Sequence, residues 1–225
     1  IIKYRDGTRE VKYNGVVYSR INSRSIFTNS YWDYFMPLAY LYDDTRVMMI
    51  GLGGGTIAYQ LEKAEVKTSR FDIIEVDHDI IELAKMFYPE VRANIIEADG
   101  SKYIEGKSGE YDVIILDAYI DYSIPSVFTA EKFVHDAYAA LSSTGILAIN
   151  YLQGNNGTTM LMFVDTLKKY FKVYTLDTPS TLHNQIIIAS KTMDVDAIAK
   201  TVAEKMPKAY ADWHLLHGYS GMRKS

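Results

Sequence analysis

The sequence predicts an α/β fold built on a parallel sheet, and three observations carry that expectation. From Arg46 onward, short apolar runs alternate with segments of helical periodicity, the pattern of βαβ units whose sheet is covered on both faces. The stretch MMIGLGGGTIAYQL (48–61) sets four glycines in five positions between an apolar run and a helix-like segment. Two strand-like runs, KVYTLD and NQIIIAS, then follow one another with little helix between them, which predicts a closing antiparallel hairpin.

Taken in order, residues 1–28 read as a β meander. Asp6-Gly7 and Asn14-Gly15 suit the positive φ angles of tight hairpin turns. An aromatic-rich helix is expected over 29–42. RVMMI is a strand, followed by the glycines and a helix to about residue 63. FDIIEVD is a second strand, followed by the helical HDIIELAKMFY with Asp77 as its cap. VRANIIEAD holds a third strand, and YDVIILD is the clearest buried strand of the chain. TAEKFVHDAYAALSS reads as an amphipathic helix capped by Thr129. GILAIN is a strand, TTMLMFVDTLKKYF a helix, and a last helix spans about 195–206. The division is therefore an N-terminal β extension (1–28) and an α/β domain (29–225).

Composition excludes several classes. The formal net charge is −4 over 225 residues, so there is no basic footprint for nucleic acid. The chain has no cysteine, which rules out disulfides, zinc-thiolate sites and cysteine nucleophiles. No apolar run is long enough for a membrane span, no signal peptide is visible, and the expected location is cytoplasmic. There is no G-x-S-x-G elbow and no P-loop lysine, so hydrolase and kinase readings find no support.

The glycine turn from strand to helix lets a ligand approach bare backbone and a helix N-terminus. Two ligand classes compete. A dinucleotide fold wants G-x-G-x-x-G, but the third position is Thr56; Gly51, Gly53 and Gly55 instead give G-x-G-x-G, the usual spacing of S-adenosylmethionine folds. Glu75 ends the second strand, where a carboxylate can accept from both ribose hydroxyls. Asp99 follows the third strand, where it can accept from the adenine amine above Gly100 or simply form an Asx turn. Asp117 ends YDVIILD. Three acids thus stand at three successive strand ends, on the edge where open α/β sheets bind ligands. Three histidines are weighed and set aside: His183 as structural, and His214 and His217, beside Trp213, as surface or interface residues. No metal site is expected.

The segments MIGLGGGTIA, IIEVDHDIIELAKMFYP, IIEADGSKYI and YDVIILDAYIDYSIPSVFTAEKFVHDAYAALSSTGILAIN resemble the spermidine synthases, and still more the spermidine synthase-like branch of S-adenosylmethionine-dependent transferases. YNGVVYS and SYWDYF resemble that family's L-D-G-x-x-Q and Y-H-E-M stretches. The resemblance implies a Rossmann-like, seven-stranded methyltransferase sheet whose last strand is antiparallel. It also implies S-adenosylmethionine or its decarboxylated form as co-substrate, without a metal. Gly51, Gly53 and Gly55 would form the loop, Glu75 would hold the ribose, Asp99 and Gly100 the adenine, and Asp117 would face the sulfonium side chain. The implied chemistry is attack by a small-molecule amine on the aminopropyl carbon, and the implied assembly is a homodimer or higher homo-oligomer.

The match breaks at the acceptor half. The family's D-x-x-D reads Asp117-Ala118-Tyr119-Ile120, with Asp121 one residue late. The acid usual after the third glycine of the family's loop is replaced by Gly54, the family's Gln is Tyr18, and Y-H-E becomes Tyr31-Trp32-Asp33. Asp121, Asp33 and Asp117 are the catalytic candidates, and Tyr18, Tyr31, Trp32 and Tyr119 the pocket walls. The expected function is a spermidine synthase-like transferase of unassigned acceptor. A small-molecule methyltransferase and a non-catalytic nucleoside-binding descendant stay open beside it, and an NAD dehydrogenase stands behind them.

Overall fold

The computed structural model describes residues 2–3, 7–13, 15–22, 24–120, 123–152, 157–178, 184–210 and 218–225. Asp6, Asn14, Asp121, His183, Trp213, His214 and His217 lie outside the described residues.

The meander forms as expected: β1 (Ile2–Lys3), β2 (Arg9–Tyr13) and β3 (Val16–Ile21) make a three-stranded antiparallel sheet. Gly7 and Gly15 take the positive φ that its turns require. The predicted helix over 29–42 is instead a 3-10 turn at Tyr31–Tyr34 followed by one α turn, α1 (Met36–Ala39). Pro37 enters at the first turn of α1, where its missing N–H is no loss.

The main sheet has the order β11-β9-β10-β8-β7-β4-β5-β6. β4 (Thr45–Ile50), β5 (Thr68–Glu75), β6 (Asn94–Glu97), β7 (Tyr111–Leu116) and β8 (Leu141–Leu152) pair in parallel. β10 (Asn184–Ser190) lies antiparallel between β8 and β9 (Lys172–Asp177). The expected terminal antiparallel strand is therefore present, and the short β11 (Arg223–Lys224) adds an eighth strand beyond the seven expected.

Alternation within the central strands divides the core. Val47 and Met49 of β4 face one side, with Ala58 and Leu61 of α2 (Thr56–Lys63), Ile81 and Ala84 of α3 (His78–Phe87), and Ile198 and Val202 of α8 (Val195–Lys205). Met48 and Ile50 face the other, with Phe133 and Ala137 of α6 (Glu131–Ala140) and Phe163 and Leu167 of α7 (Gly157–Lys168). Every residue of β7 is buried, as a strand covered on both faces must be.

Thr129 is not the cap of α6. It closes α5 (Ser126–Thr129), donating its hydroxyl to the Ser126 carbonyl, and Ala130 stands at the N-cap of α6 without a side-chain bond. The amino edge of the sheet is tied by Arg46 on Asp112 and by Arg70 and Tyr111 on Asp72. The carboxyl edge is left for other purposes. Among the described residues no helix is long and apolar enough to cross a membrane, and no three His, Asp or Glu cluster as a metal-binding group.

Candidate functional site

The loop between β4 and α2 is shaped by two close approaches. A Cβ on Gly51, which has φ +87°, would stand 2.4 Å from the Asp117 carbonyl oxygen. A Cβ on Gly54 would stand 2.2 Å from Ser19 Cβ. The first glycine lets the chain leaving β7 cross over the loop; the second lets β3 of the meander lie against it. The Gly54 N–H donates to the Tyr18 carbonyl at 3.0 Å. Behind it, Ser19 Oγ, Thr56 Oγ1 and Tyr88 Oη form a buried knot of hydroxyls, and Tyr88 Oη also donates to the Arg20 carbonyl. Burial pushes the Tyr88 hydroxyl up to about 12, so it stays protonated and able to donate. Tyr18 is thus brought to the loop through its backbone, while its ring packs with the cluster of Val11, Ile21, Phe87 and Tyr88.

Glu75 stitches the end of β5 to the same loop. Its Oε2 accepts from the Leu52 N–H at 2.8 Å, and its Oε1 accepts from the N–H groups of Val76 and Asp77. Val76, one residue on, is 70% exposed, an unusual place for a bare valine. Asp99 caps α4 (Gly100–Tyr103), its Oδ1 accepting from the Ser101 N–H and hydroxyl. The Ser101 hydroxyl is the main reason that its carboxyl sits below the ordinary range. Gly100 packs on Ile50, whose Cγ2 lies 2.4 Å from where a Cβ would be.

Asp117 is the most perturbed acid of the edge. Its surface is only half-buried, yet the carboxyl lies deep among protein atoms, and burial pushes it up to about 7. Two hydrogen bonds oppose that rise, from Asn150 Nδ2 at 2.7 Å and from the Tyr31 hydroxyl. Burial, and then the Asp117 charge, raise Tyr31 well above the ordinary phenol value. The Tyr31 ring lies 4.8 Å from that of Trp32, which is buried in the core. Tyr119 Oη donates to the Asn150 carbonyl and accepts from the Leu152 N–H, zipping the loop after β7 onto β8.

Asp33 lies elsewhere in this arrangement. It is buried and accepts from the N–H and hydroxyl of Thr28, the N–H of Asn29 and the side chain of Gln60. Those bonds organise the turn that delivers Tyr31 and Trp32. Burial still outweighs them and raises its carboxyl. Ile120 is 68% exposed and pairs by two backbone bonds with Ser123. An apolar hollow of about 170 Å³ between α2, α3 and β6 shares Leu52 and Gly55 with the loop but none of the edge carboxylates.

The structure therefore gathers the glycine loop, Glu75, Asp99, Asp117, Tyr31 and Tyr119 at one sheet edge. Sequence reasoning missed Asn150, Asn184 and the Ser19–Thr56–Tyr88 knot. Only the position of Asn150, last in a buried run, was a readable signal.

The family model for the spermine/spermidine synthase domain matches residues 34–200. The chain belongs to that family. A polyamine aminopropyltransferase of Neisseria meningitidis serogroup A is 28% identical over 179 residues, covering 75% of this chain and 66% of the relative. Its counterpart in Clostridium botulinum strain Eklund 17B is 34% identical over 121 residues, covering 50% of this chain and 42% of the relative. The chain spans two-thirds or less of these curated relatives.

Among solved structures, a probable spermidine synthase from Corynebacterium glutamicum superposes with a TM-score of 0.73 at 19% identity, covering 86% of this chain and 78% of the other. Human methyltransferase-like protein 13, in complex with SAH, gives 0.64 at 20%, covering 85% and 92%. At those identities the likeness is one of fold. Within the spermine/spermidine synthase family, the departure at Gly54 now has a physical cause: Ser19 occupies the space that a side chain there would need.

Proposed function

We propose that this chain is a spermidine synthase-like transferase that moves an aminopropyl group from decarboxylated S-adenosylmethionine, or a close S-adenosyl relative, to an amine. The observation that carries this reading is Asp117: a half-buried acid at the carboxyl edge, pushed up to about 7 and held by Asn150 and Tyr31 beside the glycine loop. A proton acceptor works best when its pKa lies near the working pH.

In this reading the backbone of Gly51, Gly53 and Gly55 admits the donor, Glu75 accepts from its ribose hydroxyls, and Asp99 with Gly100 meets the adenine. Val76 supplies an apolar face for the ring. Tyr31, Trp32 and Tyr119 wall the acceptor side, Tyr18 borders it through its backbone, and Asp33 positions Tyr31 and Trp32 without touching the amine. The amine nitrogen bonds to the aminopropyl carbon as the carbon–sulfur bond breaks. The bond's electron pair leaves on sulfur as neutral methylthioadenosine, and the proton shed by nitrogen passes to Asp117. Asp121 is the second candidate acceptor. The exposed Ile120, standing where the family usually has an acid, favours one other reading: methyl transfer from intact S-adenosylmethionine to a small molecule.

Calorimetric titration of the purified protein with S-adenosylmethionine, its decarboxylated form, methylthioadenosine and NAD tests the proposal. Tightest binding of the decarboxylated form, with methylthioadenosine release when amines are added, is expected. Preference for the intact form would transfer the assignment to methyl transfer. Failure of every adenosyl compound to bind would end both readings.

A further inference from the structure

Asp117 is not held by Asn150 alone. Asn150 and Asn184 are both buried, and the Asn184 side-chain NH2 donates to Asn150 Oδ1 at 2.8 Å. Asn150 Nδ2 in turn donates to Asp117 Oδ1 at 2.7 Å. Asn184 opens β10, the antiparallel strand, and stands opposite Leu152 of β8, two residues beyond Asn150. Its own carbonyl accepts from the Thr178 hydroxyl at 2.6 Å, and the backbone carbonyl of Asn150 is held by Tyr119. Both amides are therefore fixed at their main chains.

An asparagine amide can present either its NH2 or its carbonyl to a neighbour. Presented as NH2, it supports an ionised Asp117. Presented as carbonyl, it sets lone pair against lone pair unless Asp117 carries a proton. The pair has two self-consistent polarities. In one, Asn184 donates to Asn150 and Asn150 donates to a carboxylate. In the other, a protonated Asp117 donates to Asn150 and Asn150 donates to Asn184. They differ by one proton, and the observed bonds are those of the first.

We propose that Asn184 is a positioning residue for Asp117: its donation to Asn150 Oδ1 locks the Asn150 NH2 onto the carboxylate and keeps Asp117 ready to accept a proton. The inference rests on the reading of Asp117 as the proton acceptor. The titratable groups that face Asp117 are Tyr31, from the 3-10 turn, and Tyr119, from its own loop. β8 and β10 bring the two amides, and Gly51 of the glycine loop brings only backbone. In the sheet β10 is separated by β8 and β7 from β4, β5 and β6, whose ends carry the glycine loop, Glu75 and Asp99. The effect of Asn184 therefore belongs in proton transfer and not in donor binding.

The test is the titration of the Asp117 carboxyl, followed by infrared difference spectroscopy on the intact protein and identified by its loss in Asp117→Asn. In Asn184→Leu, which keeps the branched shape and removes the donor, the midpoint is expected to rise by about one pH unit, because a hydrogen bond to the charged form lowers a pKa and its loss raises it. Turnover at pH 7 is expected to fall about fivefold and to recover by about pH 9, with the donor's KM unchanged. Asn184→Ser, which restores a hydroxyl donor, is expected to lie nearer the wild type than Asn184→Ala. That pair decides the matter if Asn184→Leu does not fold. An unmoved midpoint in Leu or Ala variants, or identical Ser and Ala variants, would overturn the proposal. A shifted midpoint in a protein that turns over no amine would support it while ending the transferase reading.

Discussion

Ser19 Cβ lies 2.2 Å from the point that a Cβ on Gly54 would occupy, so the meander and the glycine loop meet at a contact only a glycine permits. Gly54→Ala is expected to destabilise the protein by about 1–3 kcal/mol, the usual cost of overpacking. Chemical denaturation measures this. Ser19→Gly combined with Gly54→Ala is expected to recover part of the loss. Additive losses in the double variant would show that the two residues do not compete for one space.

The buried Asp33 accepts from Thr28, Asn29 and Gln60. Asp33→Ala leaves the buried Thr28 and Gln60 donors without this acceptor, and a loss of roughly 2–4 kcal/mol is expected. Thermal melts read that loss, and donor affinity in the folded fraction is expected to stay unchanged. A stable variant with weakened amine binding would instead make Asp33 a substrate contact.

Asp117 carries a pH dependence with a definite sign. Its folded pKa of about 7 lies above the unfolded value of roughly 4, so the folded state holds the proton more tightly. Stability from this group is full below about pH 4 and declines as pH rises towards 7. Activity should run the opposite way, because the carboxylate is the working form. Asp117→Asn is therefore expected to melt at or above the wild-type temperature at pH 8, to match it near pH 4, and to lose turnover at pH 8. A lower melting temperature at pH 8 would mean that the ionised carboxylate is a net stabiliser.

Ile120 is 68% exposed. Ile120→Asp is expected to change stability by less than about 0.5 kcal/mol, as surface substitutions usually do. With a diamine as acceptor, methylthioadenosine release is expected to rise about tenfold, since a charge-assisted hydrogen bond to the second ammonium contributes about 1.5–3 kcal/mol. No rise would show that the acceptor site does not depend on an acid at this place.

Local signals made much of the fold readable. The buried run of β7, the Asp77 cap of α3 and the closing pair β9–β10 each follow from a few neighbouring residues. The helix expected across 29–42 failed because Asp33 draws the backbone of Thr28 and Asn29 into a turn, and that pull is invisible in a hydrophobic pattern. Thr129 was misplaced because it bonds backwards to Ser126 instead of forwards into α6. At the site, the glycines and the three strand-end acids were legible because each ends a strand. The reason for Gly54 was not, because it lies in Ser19 of another sheet. The Asn184–Asn150–Asp117 chain was not legible either, because it exists only once β10 has slotted beside β8.

That slotting has a consequence for the newborn chain. β9 precedes β10 in sequence but pairs with β10 and β11, and the free side of β8 is filled only by β10. Synthesis runs from the amino end, so Ile146, Leu147, Ala148 and Ile149 stand with one edge open until β10 emerges, and β9, made before β10, has no place to dock in that interval. An apolar strand with unpaired backbone invites pairing with another molecule. The chain is most vulnerable to clumping between the emergence of Leu152 and that of Ser190, and a slow stretch of translation in that interval would lower the yield of folded protein more than the same delay anywhere earlier.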